Sequence, residues 1–173
     1  MLKVGKFHKV SKEQFFKDWE KVFGQQFSRG ELEEIHEGIQ LPVRATKGSA
    51  GYDFFTPIKF FIDPGATIMI PTGIKVEIVE GWVLKCYPRS GLGFKYRLQL
   101  NNTVGIIDSD YFQADNEGHI FARITNDSNE NKSVILLKGE GFMQGIFTEY
   151  GITYDDEVER NRTGGFGSTS FRK

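Results

Sequence analysis

Apolar and polar positions follow two different rhythms along this chain, and the change falls near residue 39. Before it, Phe15, Phe16, Trp19, Val22 and Phe23 recur at helical spacing. Ser11, with Gln14 three residues on, predicts a capping box at the start of that run, and Gly24 stands where it would end. Ser28 with Glu31 repeats the start signal, Leu32 and Ile35 give a thin apolar stripe, and Gly38 closes it. Residues 1–38 are therefore predicted as a helical amino-terminal extension. The aromatic stripe predicts packing onto the main domain, which is a more frequent use of such a face than a partner surface.

From Ile39 the period shortens to that of strands. Ile58–Ile62, Ala66–Ile70, Ile74–Val79, Trp82–Tyr87, His119–Thr125, Ser133–Leu137 and Phe142–Phe147 are short and rich in β-branched or aromatic residues. Turn chemistry separates them, as in Asp63-Pro64-Gly65, Pro71-Thr72-Gly73 and Lys138-Gly139-Glu140-Gly141. Ile74, Val76 and Ile78 alternate with Lys75 and Glu77, as a half-buried strand requires. Many short strands at regular spacing predict an all-β sandwich, jelly roll or barrel over residues 39–155. The last segment, 156–173, is acidic and then rich in Gly, Ser and Thr; it offers little to pack and is expected to be mobile without a ligand.

Composition changes this picture little. The 173 residues carry a net charge of -1, which argues against non-specific binding of duplex nucleic acid. No apolar run approaches the roughly 18 residues of a membrane span, and the amino terminus lacks a signal-peptide pattern, so a cytoplasmic protein is expected. The single cysteine, Cys86, forms no intrachain disulfide and sits in an apolar run, where an inert buried thiol is expected. His8, His36 and His119 lack ligand spacing, and no metal ligands are assigned.

Three segments are unusual for mere connections. Pro88-Arg89-Ser90-Gly91-Leu92-Gly93 offers a guanidinium fork, a hydroxyl and backbone N–H groups, which suit phosphate oxygens; a plain glycine turn has the same composition. Gly105-Ile106-Ile107-Asp108-Ser109-Asp110-Tyr111 closes an apolar run with carboxylates, either beside a pocket or as a solvated strand end. Gly164-Gly165-Phe166-Gly167-Ser168-Thr169 sets an aromatic ring among glycines and hydroxyls, either as a cover for a planar ligand or as a plain tail.

Taken in order, these segments resemble the motifs of the trimeric dUTPase family. Ala50-Gly51-Tyr52-Asp53 is similar to the first motif, Pro88 to Leu92 to the second, and Gly105 to Tyr111, with Asn102 upstream, to the third. Gly139-Glu140-Gly141-Phe142-Met143-Gln144 is similar to the fourth, and Gly164 to Thr169 to the fifth. The resemblance implies a distorted jelly roll and a homotrimer with sites shared between subunits. It implies hydrolysis of dUTP to dUMP and pyrophosphate, with Mg2+ held mainly by substrate phosphates and water. By the same resemblance Asp108 activates the attacking water, and Arg89, Ser90, Gly91 and Gln144 face the phosphates, with Asp53 in support. Asn102, Gly105, Ile106, Ile107 and Phe121 would read uracil, and Tyr111 would lie beneath the sugar. Phe166 would stack over the base, while Arg162, Gly167, Ser168 and Thr169 would bind the phosphate end.

This chain departs from the family pattern in several places. Gly141 stands where an Arg or another polar residue is usual. Asn161, flanked by Arg160 and Arg162, takes the usual place of an Arg, and Ser170 replaces a glycine. Phe112 to Glu117 form a longer loop beside the base-reading hairpin. Two other readings share these residues. A dCTP deaminase has the same fold but needs an acid/base Glu beside the base, which the hairpin around Asn102 lacks. A regulatory module would use the extension or the longer loop to hold a protein partner.

Overall fold

The computed structural model describes residues 2–159 and Gly164. Twelve strands among them form four antiparallel sheets, with three short helices and one 3-10 turn. Each strand expected from the short β-branched and aromatic runs is present. They are β4 (Phe60–Ile62), β5 (Thr67–Pro71), β6 (Ile74–Ile78), β7 (Trp82–Pro88), β10 (Phe121–Asn126), β11 (Val134–Leu136) and β12 (Gly141–Glu149). In β6 Ile74, Val76 and Ile78 are buried and Glu77 is exposed, as the alternation requires. The sequence pattern did not reveal β2 (Val43–Arg44), β3 (Tyr52–Phe55) or β8 (Leu98–Leu100), and it left β9 (Gly105–Ile107) as an apolar run that could end a strand.

The largest sheet runs β2-β3-β12-β7-β9. Strand β7 lies inside it: Gln144 pairs with Tyr87 on one side, and Gly105 with Cys86 on the other. A second sheet, β5-β10-β8, carries the start of the hairpin that turns into β9.

The amino-terminal segment departs from the purely helical expectation. Gly5–Lys9 form strand β1, which pairs with β6 from Gly5↔Ile78 to Lys9↔Ile74. Helices α1 (Lys12–Phe23) and α2 (Arg29–Glu37) follow where the caps place them. The reciprocal capping box is present at Ser28 and Glu31. At Ser11 only half of it forms: the Oγ accepts from Gln14 N–H, while the Ser11 N–H donates to Glu117, 106 residues away. Phe15 and Trp19 are fully buried and belong to the same apolar cluster as Phe54, Leu84, Ile124 and Phe142. The extension thus shares the core of the β domain.

Its attachment includes a buried polar chain. His119 is completely buried, and its Nε2 accepts the Gly73 N–H at 2.8 Å. That bond requires a neutral ring with the proton on Nδ1, which donates to Asp18 Oδ2 on α1 at 2.7 Å. Gln14 Nε2 donates to the same oxygen at 2.7 Å. Burial, which penalises the charged ring, holds the His119 pKa below its usual 6.5 despite the hydrogen bond to Asp18. Burial opposes ionisation of Asp18, yet its hydrogen bonds from His119 and Gln14 prevail and hold its carboxyl below the usual range.

A pH dependence of stability follows. The unfolded chain protonates His119 near pH 6.5 while the folded chain resists, so the stability present above that pH declines as pH falls toward the folded pKa. Melting curves between pH 7.5 and 5 should show a loss approaching about 1.4 kcal/mol per pH unit from this group. A His119→Gln variant should lose that part of the slope; an unaltered slope would assign the acid sensitivity elsewhere.

Candidate active site

Two groups of the sequence-predicted residues are assembled at separate places, and strand β7 runs between them.

The first group comes from three adjacent strands. Gln144 on β12 is opposite Asp53 on β3 and Tyr87 on β7. Arg89 follows β7 directly and is the N-cap of helix α3 (Ser90–Tyr96), a helix where the sequence left a choice between a phosphate loop and a plain turn. Its Nε lies 3.3 Å from Asp53 Oδ1, and a terminal nitrogen donates to the Gly141 carbonyl at 3.3 Å. Gln144 Nε2 donates to the Pro88 carbonyl, also at 3.3 Å. Asp53 therefore aims a guanidinium, and Ser90 and Gly91 add first-turn N–H groups that have no helical acceptor. The glycine at 141 also acquires a reason. A Cβ there would come within 2.7 Å of the Arg89 guanidinium, so the missing side chain leaves the space that Arg89 fills.

The second group surrounds an open cleft of about 1020 Å³. Asn102, Gly105, Ile106 and Ile107 from the β8–β9 hairpin and Phe121 from β10 line it. Gly105 pairs with Cys86, and a Cβ at 105 would approach the Cys86 Cβ to 3.2 Å, so glycine allows the hairpin to lie close on β7. Burial pushes the Cys86 thiol up to about 12, which leaves it protonated and inert. Leu100, Ala122 and Met143 add apolar lining.

Asp108 ends β9, half-buried, as the N-cap of the 3-10 turn Ser109–Gln113. Tyr111 lies in that turn and is only 3% exposed. Its hydroxyl donates to the His119 carbonyl at 2.8 Å and accepts from Asn116 Nδ2 at 2.8 Å. Arg162, Phe166, Gly167, Ser168 and Thr169, with the alternative Arg160, lie outside the described residues.

Distance separates the two groups. Ile107, next to Asp108, pairs with Leu84, whereas Arg89 stands five residues further along β7. At a strand's rise that is ~16 Å, measured away from Asp108. Within one chain Asp108 and Arg89 therefore stand far apart.

From sequence alone, α1 and the longer loop carry no expected site residue. Yet Asp18, Lys21 and Val22 from α1, with Asp115 and Asn116 from the loop, complete the cleft wall. One signal was available: Gln14 and Asp18 are polar residues four apart on the apolar face of α1, and both are buried. Among the described residues no group of three or more His, Cys, Asp or Glu side chains is arranged to hold a metal ion. None of the described helices is long and apolar enough to cross a membrane.

Comparison with known proteins identifies a family. The dUTPase family model matches residues 37–170. The deoxyuridine 5′-triphosphate nucleotidohydrolase of Lactococcus lactis is 43% identical over 135 residues, covering 76% of this chain and 89% of that protein. Among solved structures, the dUTPase of Streptococcus mutans superposes with a TM-score of 0.59 at 39% identity, over 68% of this chain and 90% of that one. A dUTPase from phage phi11 of S. aureus, described with a structural Mg(II) ion, gives 0.62 at 19% identity, over 91% and 98%. The all-β architecture, the assembled motif residues and these likenesses together place the chain in the dUTPase family of nucleotide hydrolases.

Proposed function

We propose that this enzyme hydrolyses dUTP to dUMP and pyrophosphate at sites built by more than one copy of the chain. The observation that carries this reading is the ~16 Å offset along β7 between the Asp108 end of the hairpin and the Arg89 cradle. A site holding both needs the hairpin of one subunit and the cradle of another, which fits the homotrimer implied by the family resemblance.

In this arrangement uracil enters the cleft beside Asn102 and Gly105–Ile107, where the hairpin backbone offers donors and acceptors matched to its edge. Cytosine would leave buried groups unpaired, a costly mismatch. The deoxyribose rests on the Tyr111 ring, which leaves no room for a 2′-hydroxyl. Asp108 accepts a proton from the water that attacks the α-phosphorus, in line with the departing pyrophosphate. The neighbouring subunit holds the phosphates through Arg89, the N–H groups of Ser90 and Gly91, and Gln144. The carboxy-terminal arm supplies Phe166 over the base and Arg162, Gly167, Ser168 and Thr169 at the γ-phosphate. Closure of that arm excludes bulk water.

Magnesium suits this donor set as an ion carried on the substrate phosphates, since the protein side offers phosphate-binding groups next to single carboxylates. When bound, it screens phosphate charge and eases departure of pyrophosphate. The product dUMP can feed dTMP synthesis, and removal of dUTP limits uracil in DNA, which fits a cytoplasmic enzyme.

Three results are expected. Asp108→Asn should bind a non-hydrolysable dUTP analogue normally while kcat falls by roughly two to four orders of magnitude; near-parental turnover would remove Asp108 from the role of base. Asp108→Asn and Arg89→Ala proteins, each inactive alone, should recover about a quarter of parental turnover when unfolded together and reassembled, the chance that random mixing gives an intact pair. No recovery in a correctly assembled mixture would show that each site is built within one chain. Deletion of residues 160–173 should leave the assembly and its melting temperature intact but cut dUTP turnover at least roughly tenfold; full turnover would show the arm to be dispensable.

A further inference from the structure

Tyr111 is gripped from two directions, and both grips lead to segments outside the usual motifs. Its hydroxyl donates to the His119 carbonyl and accepts from Asn116, each at 2.8 Å. The peptide that carries that carbonyl is fixed through the His119 side chain, held between Asp18 of α1 and the Gly73 N–H. Asn116 belongs to the longer loop, and the loop is fastened to the start of α1. Glu117 accepts from the Ser11 N–H at 3.0 Å and the Ser11 hydroxyl at 2.5 Å, and pairs with Lys75 at 2.9 Å. Next to it Gly118 has φ +70, and a Cβ there would meet the Tyr111 carbonyl oxygen at 2.5 Å and Phe112 Cα at 2.8 Å. The loop backbone is therefore pressed directly on the turn that carries Tyr111.

Independently, α1 forms part of the cleft wall through Asp18, Lys21 and Val22. Residues 1–36 lie outside the stretch that matches the family model. A helix that served only to add core would not need a buried carboxylate on its packing face, because an apolar side chain there avoids the desolvation cost. Here the carboxylate fixes one ring nitrogen, and the backbone of that same histidine receives the Tyr111 hydroxyl.

We propose that Asp18, His119 and Asn116 are positioning residues for Tyr111, and that through them the amino-terminal helix sets the discrimination between deoxyribose and ribose. The inference rests on the reading of Tyr111 as the platform beneath the sugar. Without Asp18 the His119 Nδ1–H loses its acceptor, the ring turns or hydrates, and the carbonyl that holds the hydroxyl shifts. A small displacement suffices, since exclusion of a 2′-hydroxyl depends on contact with the ring.

The test compares kcat/KM for UTP and dUTP in the full-length protein, with melting temperature and assembly mass measured alongside. Asp18→Ala and Asn116→Ala, which release Tyr111 from opposite sides, should each raise the UTP:dUTP ratio about tenfold. Asp18→Asn should restore a near-parental ratio, because its amide oxygen can occupy the place of Oδ2 and accept from both His119 and Gln14. Phe16→Ala, which loosens α1 packing away from this chain of bonds, should lower the melting temperature and leave the ratio unchanged. An unchanged ratio in Asp18→Ala and Asn116→Ala, or an equal rise in Phe16→Ala, overturns the proposal. A Tyr111→Ala control distinguishes the two levels. If it relaxes sugar selection while the others do not, the positioning inference fails; if it does not, the sugar-platform reading itself fails.

Discussion

Strand β7 is hydrogen-bonded along both edges, and the two ladders place the Arg89 cradle and the β8–β9 hairpin. Its pairing with β12 brings Asp53, Arg89 and Gln144 together, and its pairing with β9 lays the β8–β9 hairpin over Cys86. Antiparallel register is fixed to the residue, because a slip by one would turn every buried side chain of β7 to the wrong face. The same register that assembles each half also holds them apart. The proposed sharing of sites between subunits rests on this strand geometry, since a rigid sheet does not fold its two ends together.

Glycine shapes both halves by what it omits. At 105 it admits the close approach of two backbones, and at 141 it vacates a position for a guanidinium anchored by Asp53. The ion pair itself is partly exposed and adds little to stability. Its value lies in orientation: a bonded guanidinium presents a fork in a defined direction, which a freely rotating one does not.

The extension is joined to the β domain by two kinds of force. Phe15 and Trp19 supply buried apolar area, while the chain Gln14–Asp18–His119–Gly73 supplies direction. Every polar group in that chain has a partner, so its burial is tolerated, and the same saturation permits only one ring tautomer. Apolar packing alone would hold α1 against β5 with some latitude. The hydrogen bonds remove that latitude beside the cleft.

Much of the architecture was legible in the residues themselves. Alternation gave β6, β-branched and aromatic runs between turn residues gave β10, and the serines before α1 and α2 marked both helix starts, because such signals act within a few residues of one another. The five motifs likewise named the family, the residues of the cradle and the hairpin side of the cleft. Strands of two to four residues such as β2, β3 and β8 were not legible, nor was β1, whose pairing with β6 joins segments about seventy residues apart. Local pattern is silent on such pairing. The same holds for Glu117 replacing the expected partner at the Ser11 cap, for His119 as a buried junction, and for the presence of α1 in the cleft wall. The sequence by itself determined which chemistry is present and the period of each element. Only the tertiary structure decided which distant polar groups meet, because a buried donor is satisfied by whatever acceptor the fold brings within about 3 Å, at any separation along the chain.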